Sequence, residues 1–117
     1  MNPVIATKYQ PVSCKAHVNY IFSDGIQVKS RTHYLYIAKR YRDNETLCII
    51  TSRKVGNAVK RNRCRRQVRA FFDLFKSHIS RDYDIIVVVH SYMVGCKSKD
   101  IYTVLEKQLK QQGIWDK

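Results

Sequence analysis

Acidic residues are scarce in this chain of 117 residues. Nine Asp and Glu stand against 22 Lys and Arg, for a formal net charge of +13 and an isoelectric point near 9.9. A surplus that large on one small protein points to nucleic acid or an anionic membrane surface as partner. Glycine (4) and proline (2) are too few for a low-complexity linker. Long apolar runs are missing too. The longest aliphatic stretch is Ile85-Ile86-Val87-Val88-Val89, and a bilayer crossing needs about 20 residues. No apolar signal core lies between Met1 and Lys15, so the sequence predicts a cytoplasmic protein. Cys14, Cys48, Cys64 and Cys96 are widely spaced, with no C-x-x-C pair and no Cys/His pattern. That argues against zinc and predicts reduced, mostly buried thiols.

What is present is enough for a core. Hydrophobic residues make up 44% of the chain, with eight Tyr and four Phe, which excludes a disordered basic tail. The length is that of one domain, residues 1–117. Residues 1–12, punctuated by Pro3 and Pro11, read as an irregular arm. Ser13 is a candidate cap for a short helix to about Ser23, with Ala16, Ile21 and Phe22 as apolar positions and Asp24-Gly25 as the closing turn. A weak strand is predicted over 26–31 and a stronger one over 33–38, where Leu35 and Ile37 alternate with Tyr34 and Tyr36. Arg40 to Asn44 reads as a charged loop. A third strand over 47–52 is apolar on both faces, which fits either a central strand or a face that meets a ligand. Asn57 is a good cap for a long helix to about His78, with Cys64, Val68, Phe71, Phe72, Phe75 and Ile79 as its buried stripe. Tyr83 to Val89 suits a strand buried on both faces. A last helix over 98–111 buries Ile101, Val104, Leu105 and Leu109 and closes at Gly113. The order α-β-β-β-α-β-α is that of an α/β (α+β) sandwich, with helices packed on a sheet of about four strands.

Between Glu45 and Asp73 there is no acid at all. Arg53, Lys54, Lys60, Arg61, Arg63, Arg65, Arg66 and Arg69 all fall in that window. At 100° per residue, Arg63, Arg65, Arg66 and Arg69 point away from the apolar stripe. Solvated helix faces usually mix charges in i,i+4 pairs, and this one has none, so it reads as a phosphate-binding surface. Arginine prevails, and its planar fork suits phosphate. A membrane-surface helix would need flanking apolar residues, and Phe71, Phe72 and Phe75 are required for the core. Charge alone leaves DNA and RNA open. Tyr20, Phe22, His33, Tyr34 and Tyr36 lie close together in sequence, and rings on an open sheet face can stack unpaired bases. A DNA-binding regulator would need a second short helix before a turn, or a heptad dimerisation region, and neither is visible.

The stretch Ser52-Arg53-Lys54-Val55-Gly56-Asn57-Ala58-Val59-Lys60-Arg61-Asn62-Arg63-Cys64-Arg65-Arg66 closely resembles the signature of the bacterial ribonuclease P protein subunit. Val18-x-x-Ile21-Phe22-x-x-Gly25 resembles that family's first helix, and Tyr83-Asp84-Ile85-Ile86-Val87 its fourth strand. The resemblance implies a left-handed β-α-β crossover through the long helix, against the general right-handed rule. It implies a catalytic RNA as partner and precursor tRNA as substrate of the joint endoribonuclease. The chemistry is then carried by Mg2+ bound mainly by the RNA, with no membrane and no obligatory protein partner. By position, Arg53, Lys54, Lys60, Arg61, Asn62, Arg63, Arg65, Arg66 and Arg69 would face the catalytic RNA. Val18, Phe22, Tyr36, Ile50 and Ser52 would line a cleft for the single-stranded 5′ leader. Val18 replaces an aromatic residue of the family, Ile50 a small polar one, and the basic segment before the first helix is reduced to Lys8 and Lys15. No catalytic or metal-binding residue is expected in the protein itself: His17, His33, His78 and His90 are scattered, and Asp82 and Asp84 read as cap or turn residues at a strand start. The alternative function is a non-catalytic RNA-binding module, such as a ribosomal protein or RNA chaperone.

Overall fold

The computed structural model describes residues 15–40 and 47–115. The proposed cap Ser13, the arm over 1–12, Cys14 and most of the charged loop after Arg40 lie outside them. The element order is α1 (Lys15–Asp24), β1 (Ile26–Lys29), β2 (His33–Lys39), β3 (Leu47–Thr51), a 3₁₀ turn (Arg53–Val55), α2 (Ala58–Leu74), β4 (Tyr83–Val89) and α3 (Ser98–Gln111). Short 3₁₀ turns also follow α2 (Lys76–His78) and β4 (Ser91–Met93). This is the mixed α+β order read from the sequence.

The strands form one sheet in the order β1-β2-β4-β3. β2 pairs antiparallel with β1 and β4, while β3 pairs parallel with β4, Leu47 opposite Ile85 and Thr51 opposite Val89. The parallel pair is joined through α2. β3 is therefore an edge strand, which excludes the first of the two readings of its apolar faces, a central position. Its second apolar face has another use, described below.

Alternation divides the sheet into two faces. On one, Leu35, Ile37, Leu47, Ile85, Val87 and Val89 meet Val55, Cys64, Val68, Phe71 and Phe72 of the 3₁₀ turn and α2, and Ile101, Leu105 and Leu109 of α3. Burying Phe71 and Phe72 completely stabilises the fold by about 1.5–3 kcal/mol each. On the other face, Ile21 of α1 packs on Ala38 and Ile86 in a smaller cluster. Gly25 lets α1 end against β2: a Cβ there would lie 2.4 Å from the Ile21 carbonyl oxygen and 2.9 Å from that of Ile37.

Several boundaries differ from the sequence reading. β1 stops at Lys29 because Ser30 turns the chain: its N–H and hydroxyl both donate to the His33 carbonyl, at 3.1 and 2.6 Å. The long helix ends at Leu74, not at His78. Beyond it, Phe75 and His78 turn their rings onto Trp115, with centroids 5.4 and 5.3 Å away, and Ile79 bridges to the same residue. Val104 is half-buried where full burial was predicted, and Asp84 lies inside β4, fully buried, where a turn residue was predicted.

Candidate nucleic-acid interface

The cationic surface is built from the entry into α2 outward. Val55 anchors the 3₁₀ turn in the core, 4% exposed, and leaves Arg53 and Lys54 in solvent. Gly56 follows with φ +142°, a backbone region that side chains avoid, and a Cβ there would meet Lys60 Cδ at 2.8 Å. The Asn57 side chain then caps α2, accepting from the Lys60 N–H at 3.0 Å.

On α2 itself, Lys60, Asn62, Arg63, Arg66 and Arg69 are exposed, while Arg61 and Arg65 are half-buried. Arg61 folds back and donates to the Gly56 carbonyl at 2.8 Å, and Arg65 donates to Asn62 Oδ1 at 2.6 Å. Among the described residues none of the eight cations is ion-paired to an acid, whereas Lys110 on α3 pairs with Glu106. The positive end of the α2 dipole adds to this field. The stretch thus presents a set of donors aimed at solvent with no internal anion to satisfy them.

The second feature lies on the opposite face of the sheet. Val18, Tyr36, Cys48, Ile50 and Val88 are half-buried around Ile21, Ala38 and Ile86. Phe22, 38% exposed, stands edge-on to Tyr36 with centroids 4.7 Å apart. Gln27 of β1 donates to the Tyr36 hydroxyl and orients the ring. Strand pairing sets Cys48, Ile86 and Tyr36 in one row and Ile50, Val88 and Tyr34 in the next. Ser52 is exposed and in extended backbone just beyond β3, continuing the row direction of Cys48 and Ile50. Four of the five predicted cleft residues, Val18, Phe22, Tyr36 and Ile50, therefore meet at one site between α1 and the sheet, with Ser52 at its edge. The apolar second face of β3 forms the floor.

Two residues of the aromatic group fall elsewhere. His33 is fully buried on the other face, its Nε2 2.7 Å from Gln108 Oε1 and its Nδ1 2.8 Å from the Thr32 hydroxyl. Burial, with a smaller contribution from the nearby His90, lowers its pKa to about 4 despite the Gln108 hydrogen bond. Tyr20 donates to the Lys39 carbonyl at 3.0 Å and seats α1. Sequence reasoning missed the pair Tyr34–His90, with centroids 4.2 Å apart, because the two are remote in sequence and meet only through β2–β4 pairing. Of the described cysteines only Cys64 is buried; Cys48 and Cys96 are half-buried, and all three are free thiols. Burial pushes the Cys48 and Cys64 thiols up, which leaves them poor nucleophiles.

Among the described residues no group of three or more His, Cys, Asp or Glu could hold a metal ion. No described helix is long and apolar enough to cross a membrane.

An open mixed sheet with an aromatic cleft on one face and a cationic helix behind the other defines a small α+β protein with one aromatic and one cationic surface. The family model described as Ribonuclease P matches residues 8–113, and the chain belongs to the ribonuclease P protein family. The ribonuclease P protein component of Shouchella clausii is 30% identical over 108 residues, covering 92% of this chain and 88% of its own. That of Staphylococcus haemolyticus is 33% identical over 97 residues, covering 83% and 84%. Among solved structures, the RNase P protein of Staphylococcus aureus superposes with a TM-score of 0.80 at 30% identity, covering 92% of this chain and 99% of that one. The Thermotoga maritima protein shares the fold, with a TM-score of 0.76 at 24% identity over 87% of this chain and 96% of that one.

Proposed function

We propose that this chain is the protein subunit of a ribonuclease P holoenzyme that binds a catalytic RNA through the outer face of α2 and the 5′ leader of precursor tRNA in the α1–sheet cleft. The observation that carries this reading is the separation of the two surfaces by the sheet. A cationic helix and an aromatic cleft on opposite faces let one small protein hold two RNA strands at once.

Each surface suits its ligand. Exposed arginine forks on α2 donate in pairs to phosphate oxygens, and the RNA releases counterions as they do so. In the cleft, Phe22 and Tyr36 offer ring faces to unpaired bases, and Val18, Ile50 and Val88 exclude water around them. Only the precursor carries a leader, so cleft binding favours substrate over product. Mg2+ would supply the hydrolytic chemistry and, in this reading, would be held mainly by the RNA. The protein supplies positioning and positive charge, which lets RNA strands approach at lower metal concentration.

The test is cleavage of precursor tRNA by a bacterial ribonuclease P RNA in low Mg2+, with and without this protein. Leader removal that depends on the protein is expected. A protein that binds the RNA yet leaves cleavage unchanged would instead be a passive RNA-binding module.

A further inference from the structure

The ring corner of the cleft is repeated along β2. Phe22 and Tyr36 meet at 83° with centroids 4.7 Å apart. Tyr34 and His90 meet at 68° with centroids 4.2 Å apart. Tyr34 and Tyr36 stand two residues apart on the same face of the strand, a step of about 6.8 Å. Strand pairing puts Tyr34 in one row with Val88 and Ile50, both part of the apolar floor. His90 follows Val88 by two residues. Continuing the β3–β4 register past Thr51 and Val89 brings Ser52 level with His90. The second corner therefore stands at the end of the cleft where Arg53 and Lys54 lead into α2.

Internal structure does not account for this pair. Both residues are half-buried. Among the described residues neither the Tyr34 hydroxyl nor the ring nitrogens of His90 make a hydrogen bond. Their neighbours differ: both ring nitrogens of His33 are hydrogen-bonded, and the Tyr36 hydroxyl is held by Gln27. Exposed Lys29, opposite Tyr34 on β1, carries its ammonium 5.8 Å from the Tyr34 ring centroid. Accessible rings with a cation beside them are what single-strand platforms are made of. Stacked bases of one strand lie about 3.4 Å apart, half the step between the two corners. A strand that fills both corners is stretched, with its bases parted from one another.

We propose that Tyr34 and His90 form a second base slot of the leader cleft, which holds a different leader nucleotide from the one at Phe22 and Tyr36. The base lies against one ring and meets the edge of the other. Neither residue is among the five cleft positions that the family signature supplied. The inference rests on the reading that the cleft takes the leader, and gives that cleft two bases to hold.

The test titrates the reconstituted holoenzyme with precursor tRNAs that each carry one abasic leader nucleotide. The proteins are wild type, Tyr34→Leu, His90→Leu and Tyr36→Ala. Tyr34→Phe and His90→Phe keep a ring, and thermal melts verify folding. Tyr34→Leu should weaken binding of the intact precursor about fivefold or more, the lower end of one base–aromatic stack, and Tyr34→Phe should stay near wild type. One abasic position should cost the wild-type enzyme affinity and cost Tyr34→Leu and His90→Leu nothing further. A different position should do the same for Tyr36→Ala. Mature tRNA binding should not change. Coupling of Tyr34→Leu and Tyr36→Ala to the same nucleotide would leave a single slot and overturn the proposal. So would Tyr34→Leu and His90→Leu enzymes that bind like wild type, or that lose affinity equally for precursor and mature tRNA. In each of these cases a leader position coupled to Tyr36→Ala keeps the cleft reading standing. If Tyr36→Ala also couples to no leader position, the cleft reading itself falls.

Discussion

His33 shows what a single residue does when the sheet turns it inward. It is fully buried, held between the Thr32 hydroxyl and Gln108. A neutral ring can donate to the Gln108 oxygen through Nε2–H and accept from Thr32 at Nδ1; a protonated one has two N–H donors, so the Thr32 hydroxyl must turn to accept. Its folded pKa, about 4, lies below the unfolded value of about 6.5. The folded state therefore binds fewer protons, so the stability is present above about pH 6.5 and is lost as pH falls towards 4. The loss is on the order of 3 kcal/mol over that window. Urea denaturation at pH 7.5 and pH 5 should show the wild-type protein weakening with acid, and His33→Gln should flatten the dependence. A variant as acid-sensitive as the wild type would place the titration elsewhere.

At the scale of elements, α2 carries both the core stripe and the cationic face, and its start is set by local chemistry. The Asn57 oxygen satisfies the Lys60 N–H at 3.0 Å. Asn57→Ala should lower unfolding stability by about 0.5–2 kcal/mol, and Asn57→Ser should retain most of it. Equal losses in chemical denaturation would show that the cap is not what Asn57 contributes. This start was legible in the sequence because capping is a local rule, and so was β4, whose apolar run is unbroken. The alternation of Leu35 and Ile37 against Tyr34 and Tyr36 gave the correct faces of β2 for the same reason. The end of α2 was not legible: the apolar stripe continues in phase to Ile79, and only the rings of Trp115 and Tyr102, far along the chain, show that Phe75 leaves the helix. Nor could the sequence say that β3 lies at an edge, since an apolar face looks alike under a helix and under a ligand.

At the scale of the whole molecule, the sheet separates two unlike surfaces. Helices α2 and α3 cover β2 and β4 on one face, and α1 covers the other only in part, leaving Phe22, Tyr36 and Ile50 beside open space. The cleft residues Val18, Phe22, Tyr36 and Ile50 come from three separate elements, and their convergence followed from the family signature rather than from spacing. The cationic face, by contrast, could be read from the acid-free window directly. The account's central claim is that the cleft holds the leader while α2 holds the catalytic RNA. It is tested most directly by Tyr36→Ala in the reconstituted enzyme, measuring affinity for precursor and for mature tRNA, with a thermal melt to verify folding and Tyr36→Phe to retain the ring. The account predicts that Tyr36→Ala weakens precursor binding by about 1–3 kcal/mol, the worth of one base–aromatic stack, and leaves mature tRNA and catalytic RNA binding unchanged, with Tyr36→Phe close to wild type. Equal losses for precursor and mature tRNA in a folded Tyr36→Ala protein would contradict it.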